Sequence, residues 1–345
     1  MSAETVSPGP LRLDAKSRHV LRYATGATLG MGLAMAVNWP AAYLVPVLCL
    51  TFLAKPVPPP TLRAGLMFLA ALVVAITVGL WAIKYLLGSG VLFFTGLGLL
   101  LLHVFYAQCS GASPILILWL LIALLALPMV AVQSPDMALV VSSSLVFGAA
   151  ASLMVAWIAH ALFPETRSGP SASAPAPTTQ APAHERFVAA LERMAVVFPL
   201  FVLFHLFEWT GSLVILIFVG LLSIQPGFAS GFKAGAAMIL GNAMGGMAAI
   251  AAFELLTVVP EFLFLILLCL LAGLFLGNRL LGGGKAAPLY GMAFSTMLLV
   301  LGSSTSSEGD ARAAAYSRIL QIMIAVLYVV FSFGLIERLR GRGRK

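Results

Sequence analysis

Apolar residues fall into long blocks separated by short turns rich in Gly, Pro, Ser and basic residues. The blocks lie at about 20–38, 41–54, 62–83, 91–107, 114–131 and 138–163, and again at about 190–207, 211–224, 234–256, 260–277, 286–302 and 315–336. A helix crosses a hydrocarbon core of roughly 30 Å with about 20 apolar residues. The pattern therefore predicts an all-α polytopic membrane protein with about twelve transmembrane helices, six plus six.

The two sets read as copies of each other. A constant shift of 170 residues lays Trp39 on Trp209, Lys55-Pro56 on Gln225-Pro226, Arg63 on Lys233, Gly65 on Gly235 and Gln108 on Asn278. A slightly larger shift lays Asp136 on Asp310. An even number of helices per copy makes both copies enter the membrane from the same side, which predicts two parallel repeats related by an axis along the membrane normal. Internal repeats of this kind are common in transporters, where a substrate path forms between the halves. The expected organisation is a first six-helix repeat over 1–163, a disordered cytoplasmic linker over 164–186, and a second repeat over 187–345 with a basic tail. The linker sequence PETRSGPSASAPAPTTQAPAHERF is too poor in apolar residues to bury a core.

Composition agrees with a membrane class. Hydrophobic residues make up 61% of the 345 positions and charged ones 9%, against roughly 25% charged in soluble domains, and the mean hydropathy is +1.04. The net charge of +8 does not call for nucleic acid, because Lys and Arg gather on one set of loops. These include Arg12, Lys16, Arg18, Lys55, Arg63, Arg167, Arg186, Lys285 and the run from Arg338 to Lys345. Only Lys84, Arg312 and Arg318 fall toward the other side. The positive-inside rule then makes both termini cytoplasmic, with Trp39, Tyr43, Trp81, Tyr85 and Trp209 at the outer interface. In a bacterial cell this is an inner-membrane, multi-pass protein. Residues 1–17 are polar and lead into a span too long for a signal h-region, so the first helix is expected to be retained. Cys49, Cys109 and Cys269 lack CxxC spacing and read as free thiols within or at the ends of helices.

Several features point to a site. Both second segments, Ala41–Ala54 with its internal Pro46 and Gly211–Ile224, are short. Fourteen residues reach about 21 Å, so either these are half-helices aimed at a substrate or flanking residues extend them into plain spans. Gly26 and Gly30, and Gly241 and Gly245, are spaced four apart as close-packing positions. Asn242 between the latter pair needs a partner, either across a helix interface or on a substrate.

The repeated motifs KPVPPPTLRAG and QPGFASGFKAGAAMILGNAMGG, each following a short helix, resemble the FUSC family of fusaric-acid-resistance and aromatic-acid-exporter proteins and its compact membrane-only relatives. The resemblance covers residues 18–80 and 186–250. It implies efflux of small aromatic carboxylates or related toxic compounds with a periplasmic membrane-fusion protein of the HlyD type. The chain departs from larger members in having no sizeable cytoplasmic domain between its repeats.

Ionisable residues within spans each demand a role. The 170-residue shift sets Arg22 against Glu192, with Arg193 adjacent; these either pair across the axis or snorkel to the interface. Arg318, about one turn into the last helix, either holds an anionic substrate or pairs with Asp310 or Glu308. His103 and His205 either form a proton relay or are hydrogen-bonded core residues. Glu254 stands near an outer end, facing water. Ser134-Pro135-Asp136 reads as a helix cap, and Ser307, Glu308 and Asp310 repeat it. No HExxH, GxSxG, P-loop or paired metal-ligand spacing appears, which argues against an enzyme and leaves no cofactor implied. Without a P-loop, transport is expected to be secondary and proton-driven. The alternative is a non-transporting membrane scaffold or assembly subunit, with a homo-oligomer open to either reading.

Overall fold

The computed structural model describes residues 14–37, 43–55, 58–86, 88–164, 182–209, 213–224, 228–284, 286–305 and 311–342. Among these residues all regular structure is helical: α1 (Ala15–Val37), α2 (Leu44–Leu53), α3 (Leu62–Leu86), α4 (Gly90–Cys109), α5 (Pro114–Gln133), α6 (Pro135–Leu162), α7 (Ala183–Leu206), α8 (Leu213–Ser223), α9 (Phe228–Val258), α10 (Phe262–Leu281), α11 (Ala287–Thr305) and α12 (Ala311–Arg342). Helices satisfy every internal backbone group within one segment, which hydrocarbon requires because it offers no hydrogen bonds of its own.

Among the described residues eight helices are long and apolar enough to cross a membrane: α1, α3, α4, α5, α6, α7, the Ile239–Val258 part of α9, and α10. The protein is thus a multi-pass membrane protein by helix length and composition. Helices α2 and α8 have 10 and 11 described residues, about 15 and 16 Å of axial rise. Pro46 does not break α2. It lies in the first turn, where no intrahelical partner for its missing N–H is needed.

Close approaches define the α1–α2 hairpin. A Cβ on Gly30 would sit 2.9 Å from Pro46 Cα, and one on Gly26 would overlap Leu53 Cδ1, so α2 runs back antiparallel along the first half of α1. Helix α1 also packs on α6 and α10, α4 on α7, α3 on α5, and α9 on both α11 and α12. One apolar cluster joins α4 and α5 to α7, α8 and α12 through Phe93, Leu97, Leu124, Phe201, Leu216 and Val326, among others. A second joins α1 and α2 to α10 and α11 through Tyr23, Met31, Leu53, Cys269 and Phe294. Large apolar side chains also face outward, including Leu99, Leu271, Phe275 and Phe331. In water such a surface would associate, whereas in lipid it is solvated.

Helices α1 and α7 begin several residues before their apolar blocks, because their polar first turns, AKSRH and AHERF, continue the helix beyond the hydrophobic stretch. Ala183 to Arg186, placed in the linker by composition, belong to α7, and residues 165–181 lie outside the described residues.

Candidate functional site

Arg22 is the most deeply buried charge among the described residues. It is only 2% exposed, in the second turn of α1. Spacing explains its neighbours. His19, Arg22 and Gly26 are separated by three and four residues and so share one helix face, and that face meets α2 and α6. A Cβ on Gly26 would lie 3.3 Å from Ala159 Cβ of α6 and 3.5 Å from Cys49 Sγ of α2. Buried His19 brings Nε2 to 2.8 Å from Leu53 O, the last residue of α2; a carbonyl only accepts, so this nitrogen carries the proton. Buried His160, next to Ala159, sets Nδ1 2.9 Å from Ala156 O.

The adjacent face of α1 is given to packing. A Cβ on Gly273 would lie 2.9 Å from Ala24 Cα, and one on Gly277 would lie 2.9 Å from Tyr23 Cδ1, so α10 closes on Tyr23, whose ring centroid is 5.6 Å from that of Phe294. A guanidinium keeps its charge at any working pH. His19, one turn before it on the same face, gives its Nε2–H to the end of α2, and His160 sits next to the α6 residue that meets Gly26, with its Nδ1 turned to its own helix. Such an arrangement suits an oxyanion.

The other sequence-derived candidates are dispersed. Glu192 and Arg193 are half-buried on α7, which packs on α4, α5, α8 and α12, whereas α1 packs on α2, α6, α10 and α11. Arg22 and Glu192 are therefore seated in different helix groups. Arg193 donates through Nη1 to Gln108 Oε1 at 2.6 Å and touches Cys109 Sγ. Gln108 Nε2 in turn donates to Ile224 O at 3.2 Å, tying the ends of α4 and α8 together. Asn242 accepts from Thr296 Oγ1 at 2.7 Å across α9 and α11, with both residues buried; its amide is engaged between helices. Gly241 and Gly245 are packing positions, facing Met292 and Ala293 of α11.

His103 is exposed on α4 and sets Nδ1 2.7 Å from Leu99 O in its own helix. His205 lies among the rings of Phe93, Phe94 and Phe201, with centroid distances of 4.7, 5.3 and 6.0 Å. Phe93 and His103 are ten positions apart on α4, about 15 Å, so the two histidines form no direct relay. Arg318 falls on α12, but its side chain lies outside what is described, as do residues Asp310 and Glu308. Glu254 is exposed, as its position near a helix end suggests. Among the described residues no cluster of three His, Cys, Asp or Glu is arranged to hold a metal.

His19 and His160 were not singled out by sequence reasoning. The signal for His19 was available in its three-residue spacing from Arg22. For His160 there was none, since only folding brings the end of α6 to α1.

Residues 19–161 match the family described as "Protein of unknown function (DUF2955)". The matched stretch runs from the first turns of α1 to the last turn of α6 and includes His19, Arg22 and His160. No match is found among curated proteins or among solved structures.

Proposed function

We propose that this protein is a secondary inner-membrane exporter of small aromatic or otherwise anionic toxic compounds, proton-driven, working with a periplasmic membrane-fusion protein of the HlyD type. The observation that carries this reading is Arg22, buried on the face of α1 that meets α2 and α6, with His19 one turn before it on the same face. A charge held inside a bundle is costly enough that a substrate or ion path is the default reading. Arginine's planar fork binds a carboxylate with two parallel hydrogen bonds and stacks on an aromatic ring. The FUSC-like motifs support the same substrate class.

Two six-helix copies with both termini on the cytoplasmic side belong to this proposal. The packing pattern supports them, because exchanging each helix for the one six places along reproduces most of it. Helix α3 on α5 corresponds to α9 on α11, α2 on α6 to α8 on α12, α1 on α10 to α7 on α4, and α5 on α8 to α11 on α2. Each copy lends its fourth helix to the other copy's first, so a substrate path between copies would be framed by α1–α10 and α4–α7. In the present conformation both seams are filled with apolar side chains, and export would require one of them to open. That same filling is the observation favouring a non-transporting scaffold.

The deciding experiment measures efflux of an aryl carboxylate and of a neutral aromatic from cells carrying Arg22→Ala or Arg22→Lys, alongside membrane abundance. Loss of a hydrogen-bonded charge contact worth about 1.5–3 kcal/mol is expected to cut export of the anion roughly 10- to 100-fold and to spare the neutral compound, with partial retention in Arg22→Lys. Unchanged anion efflux in Arg22→Ala at normal abundance would reject the substrate role.

A further inference from the structure

We infer that the cleft where α1, α10 and α11 meet binds an anionic phospholipid, with its phosphate between Lys16 and Arg279 and an acyl chain along the outer face of α10. The cleft measures about 520 Å³ and is lined by Lys16, Asn278, Arg279, Tyr290 and the glycine turn 282–284, with no carboxylate lining it among the described residues. Gly283 and Gly284 have φ of +75° and +105°, and a Cβ on either would meet nothing within 4 Å. Backbone there is open to an approaching headgroup. The Lys16 ammonium reaches to 3.6 Å from a Cβ built on Gly282, which brings it into the cleft. Two cations facing one open volume repel each other, and an anion between them relieves that repulsion.

Below the cleft runs a track suited to a hydrocarbon chain. Leu263, Leu267, Leu271 and Phe275 succeed one another at intervals of four on α10, and each is more than half exposed. Arg279 stands at the next position of the same row, its guanidinium 5.8 Å from the Phe275 ring centroid. Twelve residues of helix rise about 18 Å, close to the roughly 15 Å depth of one leaflet's hydrocarbon. Basic pockets at the cytoplasmic ends of membrane helices are a recurring way of holding anionic headgroups, and the cytoplasmic placement of this cleft rests on the orientation read from the basic residues.

The corresponding corner between α4 and α7 shows what happens when such cations are used internally. The 170-residue shift places Lys16 on Arg186 and Asn278 on Gln108. Arg186 Nη1 donates to Ser110 Oγ at 2.9 Å and its guanidinium covers the Tyr106 ring, while Gln108 is held by Arg193 and Ile224. At the α1–α10 corner, Lys16 and Arg279 line an open cleft instead. This lipid site is separate from the Arg22 seam and does not depend on transport.

The test uses the full-length protein purified in detergent, titrated with phosphatidylglycerol, phosphatidylcholine or inorganic phosphate, and followed by native mass spectrometry and thermal melting. Wild type is expected to retain phosphatidylglycerol selectively and to melt higher in its presence. Lys16→Gln with Arg279→Gln is expected to bind it roughly 30-fold more weakly; Lys84→Gln, a basic residue at the opposite end, should leave binding unchanged. Both cleft residues are exposed at helix ends, so the folded state should tolerate these changes, and each single variant should give an intermediate loss. Equal binding of phosphatidylcholine, undiminished phosphatidylglycerol binding in the double variant, or stabilisation by phosphate alone would overturn the proposal. So would loss of aryl-carboxylate efflux in the double variant with lipid binding intact, since that would assign the cleft to substrate. Failure of the Arg22 experiment leaves these lipid measurements unaffected.

Discussion

Replacing Gly245 by Ala tests how closely α9 and α11 must approach. A Cβ at this position would overlap the Ala293 carbonyl oxygen, lie 2.7 Å from Thr296 Cβ and 3.0 Å from Ala293 Cα. Two of these three neighbours are backbone atoms, which cannot rotate away. Restoring ordinary contact with Thr296, which begins at 3.4 Å, moves the helices apart by about 0.7 Å on the scale of normal carbon–carbon spacing. That displacement also stretches the 2.7 Å Thr296–Asn242 bond beyond the range of about 2.5–3.0 Å for O–H···O contacts. Overpacking costs about 1–3 kcal/mol, and a side-chain hydrogen bond between membrane helices adds about 0.6 kcal/mol. Against these stands a helix-propensity gain of about 0.8–1.0 kcal/mol for Gly to Ala. The net expectation is a loss of about 0.6–2.8 kcal/mol. Gly148→Ala is the matched control, because its nearest contact would be Leu44 Cβ at 4.0 Å; there only the propensity gain remains. Equilibrium unfolding in mixed micelles by an SDS titration measures both. Thr296→Val should cost about 0.6 kcal/mol in wild type and almost nothing in Gly245→Ala, since the bond is already stretched. A Gly245→Ala protein as stable as Gly148→Ala would refute the close-packing account.

His205→Phe should leave stability equal or higher and efflux unchanged. The new ring keeps the contacts to Phe93, Phe94 and Phe201 and removes a buried Nδ1 that has no hydrogen-bond partner. Lost efflux at normal abundance would instead place His205 on a proton path. A cysteine introduced at Pro175 in a background lacking the three native cysteines should be labelled by membrane-impermeant maleimide only after the cells are opened, and labelling of intact cells would overturn the orientation.

What the sequence made legible was the part written in local pattern. Apolar block length located the helices, and the proline rule placed the start of α6: Ser134 takes the N-cap position, Pro135 opens the helix and Asp136 sits in its first turn, although the Ser134 hydroxyl makes no capping bond. Four-residue glycine spacing identified the close approaches at Gly26, Gly30, Gly241 and Gly245, because small side chains on one face are what lets backbones meet. Hydropathy misjudged α1 and α7, since it reports where a helix is dry and not where it stops being helical. The choice between two roles for a polar residue was decided by distant partners. Asn242 meets Thr296 across 54 residues and Gln108 meets Ile224 across 116, separations that no local period encodes. Arg22 combines both situations. Its burial on α1 is a tertiary result, set by α2 folding back through Gly30 and Pro46 and by the end of α6 arriving at Gly26. A charge that would snorkel from an isolated first helix is thus enclosed by α2, which brings the Leu53 carbonyl to His19, and by α6, which brings Ala159 to Gly26. Enclosure by neighbouring helices, more than position in the sequence, is what turns Arg22 from an interface anchor into a candidate binding group.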